Sequence, residues 1–212
     1  MARRTSDVTL LEHPVIQSDL ARLRDRRTTS AEFRALMRRI SIVMAAELSR
    51  SLLTRPVRVR TPLESAGGVR LRGGVALMPI LRAGLGMTEG FLEVLPEAKV
   101  GHIGIYRDEM TLEPVDYYLK VPRSLKDLAT IVLDPMLATG GSACAAIRAL
   151  RERGARSIAL AVIVAAPEGI ARVRALKPTV SLFTCAVDRA LNANGYILPG
   201  LGDAGDRSFG TL

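Results

Sequence analysis

Asp134 closes the apolar run Ile131, Val132, Leu133, and Thr139, Gly140, Gly141 and Ser142 follow shortly after it in "VLDPMLATGGSA". An Ala-rich stretch of helical character comes next. Successive backbone N–H groups in a tight Gly-containing turn, continued by a helix N-terminus, form a concave nest for anions. Gly140 and Gly141 lack a Cβ, so the backbone there can approach a phosphate closely. The hydroxyls of Thr139 and Ser142 add donors, and each charge-assisted hydrogen bond of this kind contributes about 1.5–3 kcal/mol. A carboxylate repels phosphate but accepts well from sugar hydroxyls. An acid just upstream of an anion nest therefore describes a site for a ribose 5-phosphate.

Two better-known nucleotide loops are excluded. The pattern GxxxxGK[ST] is absent. "RAGLGMTEG" offers Gly84, Gly86 and Gly90, one residue out of step with a dinucleotide fingerprint, and no acid follows at the next strand end.

The elements that must hold this chemistry alternate along the chain. "HPVIQSDLARLRDRRTTS" and "TSAEFRALMRRISIVMAAELSRSLL" carry apolar residues at helical spacing, with Thr29 or Ser30 as a cap for the second. "RPVRVRTPLE" alternates like a strand, and "GGVRLRGG" reads as a Gly-flanked surface turn. Strands are then expected in "GVALMPI", "VGHIGIYR", "ATIVLD", "SIALAVIVAA" and "VSLFTCAVD". Helices are expected in "GMTEGFLEVL", "GGSACAAIRALRERG" and "PEGIARVRAL", and "VDYYLKVP" as one arm of a hairpin. Near-continuous apolar strands alternating with amphipathic helices predict an α/β fold whose open, mostly parallel sheet is covered by helices on both faces. Sites in such sheets lie at the carboxyl ends of the strands. Arg82, Arg107, Asp134 and Asp188 all stand at such ends and are expected to face one crevice.

The 212 residues suit one domain, 48 % of them are hydrophobic, and the formal net charge is +9. That balance suits a polyanionic partner: nucleic acid, an acidic surface or a small phosphate ester. Trp is absent and aromatics make up 4 %, which leaves few stacking platforms for single-stranded nucleic acid. The arginines at 3, 4, 22, 24, 26, 27, 38 and 39 read as solvated helix faces. Cys144 and Cys185 are expected as buried thiols of a reducing compartment, and His13 and His102 have no metal-ligand spacing. No signal core or membrane span is evident, so a cytoplasmic location is expected.

"VLDPMLATGGSA" resembles the phosphoribosyl-diphosphate loop of type I phosphoribosyltransferases. The proline after Asp134 and the tail "NGYILPGLGDAGDRSFGT" narrow the resemblance to the uracil phosphoribosyltransferase family, as do "PILRAGLGM", "YRDEMTLEPVDYY" and "AAPEGI". It runs from about residue 10 to the end. It implies one domain over residues 1–212, with a helical region at about 13–54, a hairpin flap, and a base-binding hood at about 190–212.

Roles follow from the resemblance. Asp134 would hold the ribose hydroxyls. Pro135, Met136, Leu137, Ala138, Thr139, Gly140, Gly141 and Ser142 would wrap the 5-phosphate of phosphoribosyl diphosphate. Arg82 and Arg107 would meet the diphosphate, with a non-proline cis peptide near Leu81–Arg82 and a flap over "YRDEMTLEP" that closes on the reacting centre. Asp203 would contact phosphoribosyl diphosphate and its Mg2+, which the substrate itself would mainly hold. Asp134, Arg107 and Asp203 are the candidate catalytic residues. The tail, too irregular for a helix or strand, must satisfy its backbone polar groups. Ile197, Gly202, Asp203 and Ala204 would read the carbonyl–NH–carbonyl edge of uracil, and cytosine would leave buried groups unpaired. Asp206 and Arg207 are expected to pair with each other. Diphosphate would leave the anomeric carbon as uracil N1 attacks, giving uridine 5′-monophosphate.

The chain departs from the family at "MAAELSRSLL", at Glu109-Met110-Thr111 and at Lys177. These departures bear on subunit contacts and regulation, and activation by guanosine triphosphate, known in some relatives, is not carried over. A homodimer or higher homo-oligomer is the expected assembly, with uracil and phosphoribosyl diphosphate as partners and neither nucleic acid nor membrane. The alternative from another class is a phosphoribosyltransferase-fold RNA-binding regulator of pyrimidine genes, which the basic charge permits. Transfer to a purine is a third option, against which the tail argues.

Overall fold

Alternate residues of the central strands are buried on opposite sides, and this decides the architecture. Leu77, Ile131, Leu133, Ala161 and Ile163 belong to one core. Their sequence neighbours Ala76, Met78, Val132, Leu160 and Val162 belong to a second. A strand buried on both faces has no polar side, which is why these segments read as continuous apolar runs. In a computed structural model, which describes residues 2–5, 8–107 and 114–211, these strands form the middle of one large sheet.

The strands are β1 (Ala2–Thr5), β2 (Val8–Leu11), β3 (Thr54–Arg60), β4 (Ser65–Leu71), β5 (Gly74–Leu81), β6 (Lys99–Val100), β7 (His102–Arg107), β8 (Pro114–Lys120), β9 (Leu128–Leu133), β10 (Met136–Leu137), β11 (Ser157–Ala165), β12 (Ser181–Val187), β13 (Ala190–Leu191) and β14 (Ile197–Leu198). The helices are α1 (Pro14–Arg24), α2 (Ser30–Ser49), α3 (Leu85–Val94), α4 (Gly141–Glu152), α5 (Pro167–Arg174) and α6 (Ala204–Phe209). The sheet order is β1-β2-β12-β11-β9-β5-β7-β8. Pairing is parallel from β2 through β7 and antiparallel only at the two edges, β1–β2 and β7–β8. The expected open, mostly parallel sheet is therefore present.

Helices α1, α2 and α3 cover the first core with Leu20, Leu23, Phe33, Met37, Ile40, Met87 and Phe91. Helix α4 covers the second with Ala143, Cys144, Ala146, Ile147 and Leu150, joined by Val173 of α5. Between the two candidate caps of α2, the structure selects Thr29. Its hydroxyl accepts from the Glu32 N–H at 3.3 Å, and Glu32 accepts from the Thr29 N–H at 3.1 Å, a reciprocal capping box. Both cysteines are free and buried, and desolvation raises both thiols.

Three expectations need correction. Residues 67–74 are not simply a turn: Ser65–Leu71 is a full strand, β4, paired antiparallel with β3 as a separate two-stranded sheet. Gly67 and Gly68 lie within it, and an exposed strand tolerates them because no side chain there has to fill a core. The tail is not wholly irregular either. It contains β14 and the short helix α6, whose N-cap is Asp203, accepting from the Asp206 N–H at 2.9 Å. Finally, Arg24 and Arg39 are not merely solvated: Arg24 forks onto Asp188, and Arg39 reaches the buried Asp19 at 3.2 Å.

Candidate functional site

The turn from β9 into α4 is built by main-chain bonds to the neighbouring strand. The Asp134 N–H donates to the Ala161 carbonyl at 3.2 Å. The Pro135 carbonyl accepts from Ile163 and Val164, and the Leu137 carbonyl from Ala166. These bonds press Pro135 and Leu137 into the protein, and both are buried. Met136 and Ala138, next to them in the turn, line one lobe of a crevice, while Asp134 and Ser142 at its two ends line another. Gly140 has φ of +76°, a left-handed conformation that a side chain disfavours, and it caps α4. The Gly141 N–H leans on the Thr139 hydroxyl at 3.4 Å. Thr139, Gly140 and Gly141 thus form the turn itself, at the mouth of a helix N-terminus.

The smaller lobe, about 240 Å³, is lined by Arg82, Asp134, Ser142 and Asp203, with Ile80, Leu81 and Ile105 among its apolar walls. Burial pushes the Asp134 carboxyl up to about 7, opposed by the Met136 N–H, which donates to it at 3.3 Å. The larger lobe, about 350 Å³, is lined by Ile197, Gly202, Asp203 and Ala204. Ala83, Asp203 and Gly205 line both, so the two lobes adjoin. Asn194, Gly195 and Tyr196, which the sequence placed in the tail without a role of their own, also line the larger lobe. Their position directly before Ile197 was the available signal.

Arg82 follows a cis peptide bond at Leu81–Arg82, where the resemblance implied one. Its guanidinium donates to Asp206 at 2.9 Å, and its central carbon lies 5.9 Å from the centre of the Phe209 ring. Asp206 therefore pairs with Arg82 rather than with Arg207, as the sequence had suggested. Arg207 instead donates to the carbonyls of Leu23, Leu201 and Asp25. The Thr211 hydroxyl, and then Arg82, hold the Asp206 carboxyl below its usual value. Arg107 ends β7, next to β5, but its side chain and residues 108–113 of the expected flap lie outside the described residues.

Asp188 does not face the crevice. It is 7 % exposed and is taken up by Arg24 and by the Gly200 N–H. Among the described residues no group of three or more His, Cys, Asp or Glu could hold a metal ion. Asp134 and Asp203 nevertheless bring two carboxylates to one lobe. Hard oxygen donors of that number suit Mg2+ when a substrate's phosphates supply most of the other ligands.

An open parallel sheet, a strand-end acid and an adjoining glycine turn at a helix N-terminus define the phosphoribosyltransferase fold. A purine phosphoribosyltransferase from Pyrococcus horikoshii shares it at TM-score 0.51 and 14 % identity, over 73 % of this chain and 87 % of that one. The family model described as uracil phosphoribosyltransferase matches residues 10–211, so the chain belongs to the uracil phosphoribosyltransferase family. It is 50 % identical to the uracil phosphoribosyltransferase of Alkaliphilus oremlandii over 97 % of this chain and 99 % of that protein. The corresponding protein of Desulfitobacterium hafniense is 52 % identical over 96 % of this chain and 98 % of its own length. A solved protein structure from Aquifex aeolicus superposes at TM-score 0.90 with 37 % identity, covering 95 % of this chain and 97 % of that one. No helix among the described residues is long and apolar enough to cross a membrane.

Proposed function

We propose that the protein transfers the 5-phosphoribosyl group of phosphoribosyl diphosphate to N1 of uracil, releasing diphosphate and forming uridine 5′-monophosphate. The observation that carries this reading is the pair of adjoining lobes: a polar one with Arg82, Asp134 and Ser142 beside the glycine turn, and a larger one walled by the tail. Family membership supplies the base. The RNA-binding alternative has no observation in its favour.

In this reading the turn at 138–142 holds the 5-phosphate through its N–H groups and the hydroxyls of Thr139 and Ser142. Asp134 accepts from the ribose hydroxyls. Ile197, Gly202 and Ala204 offer backbone groups to the edge of uracil, with Asp203 at the junction of the lobes. Reaction breaks the bond from the anomeric carbon to the diphosphate oxygen and forms the bond to uracil N1. The N1 proton passes to the released diphosphate, which is the base that the reaction itself generates. Positive charge grows on the sugar and negative charge on the leaving group. Ionised Asp134 stabilises the first, while Arg82 and Arg107 stabilise the second. Asp134 and Asp203 are the carboxylates that would complete the shell of a Mg2+ bound mainly to diphosphate, and that ion supplies further neutralisation of the leaving group. Residues 1–212 act as one unit, with about 190–212 as the hood over the base.

The test is direct. The purified protein, given labelled uracil, phosphoribosyl diphosphate and Mg2+, is expected to form uridine 5′-monophosphate. Cytosine and hypoxanthine serve as parallel substrates. Turnover of hypoxanthine with none of uracil would reassign the base.

A further inference from the structure

We infer that the ion pair between Arg24 and Asp188 is a positioning device for base recognition, fixing the peptide of Gly200 and through it residues 201–204. This rests on the proposed uracil transfer.

Asp188 follows β12 directly, and its N–H donates to the Ala165 carbonyl at 2.8 Å, so its backbone belongs to the rigid sheet. Its carboxylate takes Arg24 with both oxygens: Oδ1 accepts from Nη2 at 2.7 Å and Oδ2 from Nη1 at 2.8 Å. Oδ2 also accepts from the Gly200 N–H at 2.8 Å, and Arg24 Nη1 donates to the Gly200 carbonyl at 2.9 Å. One ion pair thus satisfies both polar groups of a single residue. Gly200 has φ of +65°, and a Cβ there would stand 2.2 Å from the Ile197 carbonyl oxygen. The turn is therefore held by its backbone alone, and the backbone is held by Arg24 and Asp188.

The next residue is anchored to the same place. Arg207 donates to the Leu201 carbonyl at 2.8 Å while also bonding the carbonyls of Leu23 and Asp25, which flank Arg24. Two arginines thus tie the approach to Gly202 to the C-terminal end of α1. Gly202 and Ala204 then line the larger lobe. A buried ion pair lowers stability unless its geometry is good and its remaining valences are filled. Here the pairing is bidentate and the spare lone pair takes the Gly200 N–H. Hydrogen bonds to a base weaken steeply with misalignment, so a loosened Gly200 degrades recognition before it degrades the fold. Asp203 touches both lobes, but Arg82, Asp134 and Ser142 of the ribose-phosphate lobe stand at the ends of β5 and β9 and in α4, away from Gly200.

The experiment uses the full chain with Asp188→Asn and Arg24→Lys. It measures kcat, the KM of each substrate and the melting temperature. Asp188→Asn keeps volume and loses charge, and Arg24→Lys keeps charge and loses the fork. Asp188→Asn is expected to raise the uracil KM about tenfold while the phosphoribosyl diphosphate KM stays within about twofold. Arg24→Lys is expected to give the same split, smaller in size, and carries the test alone if Asp188→Asn does not fold. Both KM values moving together, or a lower melting temperature with unchanged kinetics, would overturn the proposal. Wild-type protein that forms no uridine 5′-monophosphate overturns the function and this inference with it. Wild-type turnover without a split in the variants overturns this inference alone.

Discussion

Arg82, which lines the smaller lobe, donates to Asp206 at 2.9 Å, and the Thr211 hydroxyl donates to the same carboxylate oxygen at 2.6 Å. The guanidinium assigned to the leaving diphosphate therefore already has an anionic partner. A diphosphate must outcompete one carboxylate for it. Asp206→Asn removes that competitor's charge. The KM for phosphoribosyl diphosphate is expected to fall about two- to fivefold at low ionic strength, and the gain to shrink near 0.5 M salt. Steady-state kinetics at the two salt concentrations measure this. A raised KM would mean that Asp206 holds Arg82 in its working position.

Asp134 gives a prediction whose sign can be worked out. Burial raises its carboxyl to about 7, so the folded protein favours the protonated form more than the unfolded chain does. Ionisation between about pH 4 and pH 7 then costs folding stability in the ligand-free protein. Asp134→Asn is neutral throughout. Its melting temperature is expected to exceed that of the wild type near pH 8 and to match it near pH 4. Turnover moves the other way, falling about 100-fold or more. In the wild type, kcat/KM for phosphoribosyl diphosphate rises with pH through about 7, and Asn flattens that limb. Thermal melts and a pH–rate profile together check both halves. A variant that loses stability near pH 8 would contradict the desolvation account.

Gly169, in the first turn of α5, abuts the phosphate turn. A Cβ there would lie 2.5 Å from the Ala138 carbonyl oxygen and 2.8 Å from a Leu137 side-chain carbon. Gly169→Ala must therefore displace the loop backbone. The KM for phosphoribosyl diphosphate is expected to rise about tenfold with a smaller change for uracil. Equal changes in both would detach this contact from phosphate binding.

Gly202 has φ of +72°, which a β-branched residue strongly resists, and it lines the larger lobe. Gly202→Val is expected to abolish uracil turnover while the protein still binds phosphoribosyl diphosphate with Mg2+. Isothermal titration with that substrate and a uracil assay separate the two. Full activity would place the base elsewhere.

The sheet was legible in the sequence because double-sided burial leaves an unmistakable run of apolar residues, as in "ATIVLD" and "SIALAVIVAA". The glycine turn was legible because it is local: acid, hydroxyls and glycines lie within nine positions, Asp134 to Ser142. What stayed hidden depends on distant partners. Asp188 looked like a crevice residue because its strand-end position fits one, yet its partner Arg24 stands 164 positions away. Arg207 directly follows Asp206 in sequence, but three carbonyls and the Phe33 ring, centred 4.5 Å from its guanidinium, claim it instead. The glycine pairs at 67–68 and 73–74 make the stretch between them look like a turn, and only the pairing of Ser65–Leu71 with β3 makes β4 a strand.

The bonds from Arg24, Arg34 and Arg207 join the first helices to the carbonyls of Gly200 and Ser208 and the region between. This has a consequence for biosynthesis. A nascent chain presents α1 and most of the sheet while the segment that closes over the base is still inside the ribosome. The larger lobe is therefore completed only when residues 200–208 have emerged and docked onto α1 and α2, which are made long before them. A chain stalled at residue 200 would carry the phosphate turn and the anchoring helix yet lack Gly202, Asp203 and Ala204 from the wall of the base lobe.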